Sequence, residues 1–179
     1  MSKIGKQAIQ IPDKTTAKLE GGKILFNGPK GSFEVNVNNR LFSTEITKEN
    51  LLTITPIKKT DEIKKTWGMS RSLLQNAIHG VSVGYEKILE LKGVGYRAAL
   101  KGTVLNLQLG YSHDINYNIP KGITLTIEKQ TTIKINGIDK EQVGRVAAII
   151  KSYRPVEPYK GKGIKEKGQY VLRKEGKKK

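Results

Sequence analysis

The spacing of apolar residues changes period twice along this chain, and the second change repeats the first. Up to Pro56 the apolar residues fall in short, alternating runs. Residues 17–20 and 23–26 flank Gly21-Gly22, a pair suited to a tight hairpin turn. Phe33, Val35 and Val37 alternate with polar neighbours. Residues 41–47 and 51–56 predict a second hairpin turning at Lys48-Glu49-Asn50. The period then lengthens, and Ile63, Trp67, Leu74, Ala77, Ile78 and Val81 fall on one helical face. Thr60-Asp61-Glu62 supplies a capping residue and acids at its start, and Gly80 sits near its end.

The second half runs the same course. Strands are predicted over 88–91, 98–100, 104–109, 115–119, 123–128 and 131–135, separated by turns at 93–95, 102, 110–113, 120–122 and 129–130. One helix follows, from Asp139 to about Tyr153, with Val143, Val146, Ala147 and Ile150 as its buried stripe and Pro155 as its stop. Asp139 and Gln142 have capping-box spacing. Lys23-Ile24-Leu25 returns as Lys87-Ile88-Leu89, a weak echo between the halves. The fold class that follows is α+β: two similar domains in tandem, each an antiparallel β-sheet with one α-helix packed on a face. The expected domains are residues 1–82 and 83–179, the second carrying a basic C-terminal extension.

Charge narrows the function. The 179 residues hold 33 Lys and Arg against 16 Asp and Glu, a net +17. Residues 151–179 alone hold 11 basic and 3 acidic side chains. Such a density repels itself unless an anion neutralises it, and nucleic-acid phosphate is the usual neutraliser. An anionic membrane would need an apolar face beside the charges, whereas residues 159–179 are rich in Gly and Lys with apolar residues scattered singly.

Enzyme chemistry finds little to work with. The absence of Cys excludes disulfides, thiolate metal sites and thiol nucleophiles. Two histidines, His79 and His113, cannot build a multi-histidine metal centre. No Gly-Lys is followed by Ser or Thr, as a P-loop requires. Gly93-Val94-Gly95 lacks the third glycine of a dinucleotide turn and reads as a strand-to-strand connection. His113 stands beside Asp114 and Ser112, but neighbours in one turn rarely point at a common centre. No catalytic residue, metal or cofactor is therefore assigned. No apolar stretch approaches the ~20 residues of a membrane span, and residues 1–14 resemble neither a secretory signal nor a transit peptide. An intracellular, soluble protein is expected.

Two segments invite RNA. Gly28-Pro29-Lys30-Gly31 has the Gly-x-x-Gly form of the loop that grips single strands in KH domains. That loop joins two helices, whereas strand patterns flank this one, so a β-turn is the better reading. The C-terminal run from Arg154 to Lys165 is more telling. Pro155 and Pro158 predict an extended chain that leaves the domain. Lys160, Lys162 and Lys165 are spaced to neutralise successive phosphates. Gly161 and Gly163 remove bulk between them, and Tyr159 offers a flat face for a base or ribose.

Glu157-Pro158-Tyr159-Lys160-Gly161-Lys162-Gly163-Ile164 resembles the signature of ribosomal protein six of the large subunit, in its bacterial and organellar form. The likeness extends along the whole chain. It includes Ser2-Lys3-Ile4-Gly5-Lys6, Leu91-Lys92-Gly93-Val94-Gly95-Tyr96-Arg97-Ala98, Leu107-Gln108-Leu109-Gly110-Tyr111-Ser112-His113, Gly137-Ile138-Asp139-Lys140 and the ending Arg173-Lys174-Glu175-Gly176-Lys177-Lys178-Lys179. The resemblance implies two similar α+β domains. It also implies binding to large-subunit rRNA near the sarcin–ricin loop and the stalk base, beside neighbouring large-subunit proteins. A protein there braces RNA that translational GTPases contact, with no chemistry, small-molecule substrate or membrane of its own. The setting would be the bacterial cytoplasm or, alternatively, an organelle that encodes its own copy.

By the resemblance, Tyr159, Lys160, Gly161, Lys162 and Gly163 would lie against rRNA. Charge and position add Lys3, Lys6, Arg71, Arg97, Arg154, Lys165 and Lys167. Arg71 is placed on the side of the first helix away from Ile63, Trp67 and Leu74, free to reach out. Residues 166–179 have little to bury and are expected to lack order away from RNA. The alternative function is a free-standing RNA-binding module or RNA chaperone using the Gly28–Gly31 loop.

Overall fold

The computed structural model describes residues 2–47, 50–58 and 60–176. The predicted turn at Lys48-Glu49 and the terminal Lys177, Lys178 and Lys179 lie outside the described residues. The chain divides into two compact units, residues 1–84 with 138–140, and residues 85–137 with 141–179.

The first unit runs β1 (Ile9–Gln10), β2 (Thr16–Glu20), β3 (Lys23–Gly28), β4 (Gly31–Asn36), β5 (Phe42–Ile46), β6 (Leu51–Pro56) and α1 (Asp61–Ser82). The hairpins form where the turn chemistry predicts, Gly21 and Gly22 both taking positive φ between β2 and β3. Two three-stranded antiparallel sheets result, β2-β3-β4 and β1-β6-β5, where a single sheet was expected. The first is built from consecutive strands and the second closes by pairing β1 with the distant β6, and the 22 residues of α1 reach far enough to pack on β3, β4 and β6. Ile24, Phe26, Leu52, Leu74 and Val81 are fully buried between them. The Trp67 indole N–H donates to the Ile54 carbonyl at 2.8 Å, so the largest side chain of the core leaves no buried donor unpaired. Thr60 has the extended backbone of an N-cap but its side chain makes no capping bond.

The Gly28-Pro29-Lys30-Gly31 segment is the connection between β3 and β4, with Gly28 opposite Gly31 in register. The Lys30 N–H donates to the Val81 carbonyl at 3.0 Å. A Cβ on Gly28 would come within 2.5 Å of that same carbonyl oxygen. Strands flank the loop and its backbone is spent on α1, so the KH-like use of this segment has no structural basis.

The second unit runs β7 (Tyr85–Lys92), β8 (Arg97–Lys101), β9 (Val104–Gln108), β10 (Ile115–Asn118), β11 (Ile123–Glu128), β12 (Thr132–Gly137), α2 (Lys140–Ser152) and β13 (Gly163–Glu166). It too holds two antiparallel sheets, β10-β9-β8 and β11-β12-β7-β13. Leu89, Leu105, Leu107, Ile133, Ile135, Ile150 and Ile164 are wholly buried in its core.

β13 is a correction to the sequence reading. The chain after α2 does not leave the domain but turns back and adds an antiparallel edge strand to β7, Ile164 opposite Leu91. Ile164 is the reason: a single isoleucine among glycines and lysines gives no periodic signal, yet it fills the core completely.

Candidate nucleic-acid interface

The loop between α2 and β13 is closed by its own backbone. Ile164 N–H donates to the Arg154 carbonyl at 2.9 Å, Glu157 N–H to Lys162 at 2.8 Å, and Gly161 N–H to Glu157 at 3.0 Å. Gly161 and Gly163 take φ of +69° and +137°, a region that L side chains avoid. A Cβ on Gly163 would sit 2.6 Å from the Pro155 carbonyl oxygen and 2.7 Å from the Val156 Cα. The chain's own backbone therefore demands this glycine, whatever lies outside it. The closed loop displays Tyr159, Lys160 and Lys162 on its outer side, all exposed. Among the described residues neither lysine has an acidic partner.

Lys165 behaves differently from its neighbours. Its side chain is only 16% exposed, and its Nζ lies 3.5 Å from the Glu90 carboxylate. Strand pairing sets it opposite Glu90, so its charge, unlike that of Lys160 and Lys162, already has an acidic partner. Glu166 accepts from Lys151 at 3.1 Å and Lys87 at 3.4 Å. These ammonium groups, Lys151 foremost, hold its carboxyl below the ordinary glutamate value. Three ion pairs thus fasten the new strand to β7 and α2. Lys167 follows with its side chain exposed and its N–H donating to the Ile88 carbonyl. Farther on, Lys174 N–H donates to the Pro158 carbonyl at 3.0 Å, which returns the tail across the closed loop.

Arg154 is half-buried and is held by two tyrosines of its own unit. Its Nε donates to the Tyr96 hydroxyl at 3.1 Å, and its guanidinium carbon lies 4.8 Å from the centre of the Tyr111 ring. The Tyr111 hydroxyl donates to the Tyr153 carbonyl at 3.0 Å, and His113 stacks beside Tyr111. The neighbouring tyrosine hydroxyls, Tyr111 before Tyr96, raise the Arg154 pKa above its already high ordinary value. Tyr96 in turn packs on Gly93, where a Cβ would come within 2.6 Å of its ring. The Gly93-Val94-Gly95 turn connects β7 to β8, and its tip, Val94, is 94% exposed. Gly163 pairs with Lys92 just before that turn. Three segments remote in sequence, residues 92–97, 110–113 and 154–163, therefore meet at one end of the second unit. Arg97 stands exposed at the start of β8 beside this junction.

Lys3 and Lys6 belong to the first unit, where residues 2–7 are pinned along α1. A Cβ on Gly5 would fall 2.5 Å from the Trp67 ring, and Gly5 N–H donates to the Ser2 hydroxyl. Lys3 and Lys6 point outward on either side of this buried glycine. Arg71 does not reach out. It is 8% exposed, its Nε donates to the Gln7 carbonyl at 3.2 Å, and its guanidinium also meets Gln75 Oε1. The reason is helical arithmetic: four residues past Trp67 and three before Leu74, Arg71 lies on the buried stripe itself.

Sequence reasoning missed exposed Lys92, opposite Gly163, and both tyrosines that hold Arg154. Nothing in the sequence signals a contact between residues 58 apart. The Asp114 carboxylate accepts from Asn106 and Gln108 at 3.3 and 3.4 Å. Among the described residues no three His, Cys, Asp or Glu side chains are grouped to hold a metal ion, and no helix is long and apolar enough to cross a membrane. Cations and an aromatic ring displayed by a closed loop can bind a polyanion.

Known proteins place this geometry in a lineage. The sequence profile described as ribosomal protein L6 matches residues 92–167, the span that holds all three converging segments. The chain is 48% identical to the large ribosomal subunit protein uL6 of Sphingopyxis alaskensis, over the full length of both. It is 49% identical to the protein of that name from Bartonella tribocorum and 49% identical to that from Caulobacter vibrioides, again with full coverage of both chains. Identity at this level over whole chains carries the fold and its lineage together: the chain belongs to the ribosomal protein L6 family.

Proposed function

We propose that this protein is a structural, non-enzymatic constituent of the bacterial large ribosomal subunit that binds large-subunit rRNA. The observation that carries the reading is the self-closed loop of residues 157–162, which presents Tyr159, Lys160 and Lys162 outward from a rigid base. A preformed loop loses little entropy on docking, and unpaired lysines give up no internal ion pair to meet phosphate. Arg97, Lys92 and Lys167 extend the cationic rim around it, and Lys3 and Lys6 supply a further contact from the first unit. Lys165, Arg71 and Arg154 act behind this surface. The site on the rRNA is the region of the sarcin–ricin loop and the stalk base, where the protein braces RNA contacted by translational GTPases beside other large-subunit proteins. Full-length likeness to large ribosomal subunit proteins uL6 supports the ribosomal role.

Binding of the purified protein to large-subunit rRNA should weaken steeply with salt. Replacing Lys160 and Lys162 together with Gln should flatten the plot of log K against log salt by about 1.4–1.8, the release expected for two phosphates. An unchanged slope would remove the loop from the interface. Chemical footprinting of the same rRNA should show protection at the sarcin–ricin stem and the stalk base, and protection confined to other regions would refute the placement.

A further inference from the structure

Arg154 stands at the root of the proposed RNA-binding loop, and its guanidinium is engaged by two tyrosines of its own unit. Its carbonyl accepts from Ile164 N–H, which closes the loop, while its guanidinium bonds the Tyr96 hydroxyl and lies over the Tyr111 ring. Tyr96 packs on Gly93 and is 7% exposed, so it is anchored in the core. Tyr111 is tied to the Tyr153 carbonyl at the end of α2. One side chain thus links the β7–β8 turn, the turn after β9 and the loop after α2.

We propose that Arg154 is a positioning residue for RNA recognition: it clasps the three segments together through Tyr96 and Tyr111, and it neutralises no phosphate itself. A planar guanidinium is suited to this role. It can stack on one ring and donate in its own plane to another hydroxyl, which a lysine ammonium cannot do at once. Both tyrosines approach it from within the unit, and the described residues place no carboxylate on it.

The inference rests on the proposed use of the 157–162 loop, and the two can fail separately. The full-length protein is titrated with transcribed large-subunit rRNA across a salt series, at a temperature where every variant is folded. Arg154→Lys and Arg154→Gln should each weaken binding by roughly tenfold, the weight of one stack and one hydrogen bond, with the salt slope equal to that of the unaltered protein. Tyr111→Leu should reproduce the loss, and Tyr111→Phe, which keeps the ring, should bind more tightly than Tyr111→Leu. Hydrogen exchange in the RNA-free protein should quicken at the Glu157, Gly161 and Ile164 amides and stay unaltered in β9 and β12. A slope lowered by about 0.7–0.9 in Arg154→Gln would make it a phosphate ligand and overturn the clasp. Unaltered affinity, or unaltered exchange, would overturn it as well. If the Lys160 and Lys162 replacements change nothing while Arg154→Gln still speeds exchange, the loop's role in binding RNA fails, and with it the recognition role of Arg154, leaving the clasp as a structural device alone.

Discussion

Gly163 and Arg71 show how single residues hold the displayed cations in place. The space at Gly163 is closed by Pro155 and Val156 backbone, which cannot yield as a side chain can, and its φ is strained for any L residue. Gly163→Ala is expected to destabilise the fold by about 2–4 kcal/mol in denaturant unfolding; a loss within error of zero would show that the loop relaxes freely. Arg71 plays the matching part in the first unit, where its hydrogen bond to the Gln7 carbonyl holds residues 2–7 on α1. Arg71→Met keeps the buried stem and removes the donor, and should cost about 1–3 kcal/mol. The same variant should speed amide exchange in the segment bearing Lys3 and Lys6, and protection equal to that of the unaltered protein would dissociate Arg71 from their placement.

At the scale of elements, β13 is the decisive piece. It is an edge strand of four residues, short enough that its attachment depends on Ile164 and on the ion pairs of Lys165 and Glu166. Ile164→Ala should cost about 2–5 kcal/mol, since the side chain is wholly buried. The pairs are half-exposed and contribute on the order of 1 kcal/mol or less, but with a definite dependence on pH. The folded carboxyl of Glu166 is held below its ordinary value of 4.5, so its contribution is complete above that value and is lost as pH falls through the lowered one. The stability gap between the unaltered protein and Glu166→Gln should therefore narrow as pH is taken from 6 to ~3. A gap that stays constant over that range would show that the ion pairs contribute nothing to the strand.

For the whole molecule, a net charge of +17 makes association long-range and salt-dependent. In a sucrose gradient of cell extract the protein should travel with the large subunit at moderate salt, the bound share falling as salt is raised. A wholly free pool at both salt levels would contradict a constituent role. Only part of the excess charge is available for this. Lys23, Lys64, Lys87, Lys134, Arg145, Lys151 and Lys165 each lie against an acid within their own unit, so formal charge overstates what an RNA meets.

The sequence by itself determined the α+β class, the order of β2 to β12 with the two helices, the turn at Gly21-Gly22 and the family. These depend on neighbours in the chain: apolar period, turn residues and contiguous motifs are all local quantities. Tertiary structure alone decided that the tail returns as β13, that Lys165 and Arg71 are engaged inward, and that Arg154 joins Tyr96 and Tyr111. Each of these turns on a partner far away in the chain, such as Leu91 for Ile164 or Gln7 for Arg71. A side chain's charge is written in the sequence, but whether solvent or a buried partner meets that charge depends on which remote segment folds against it.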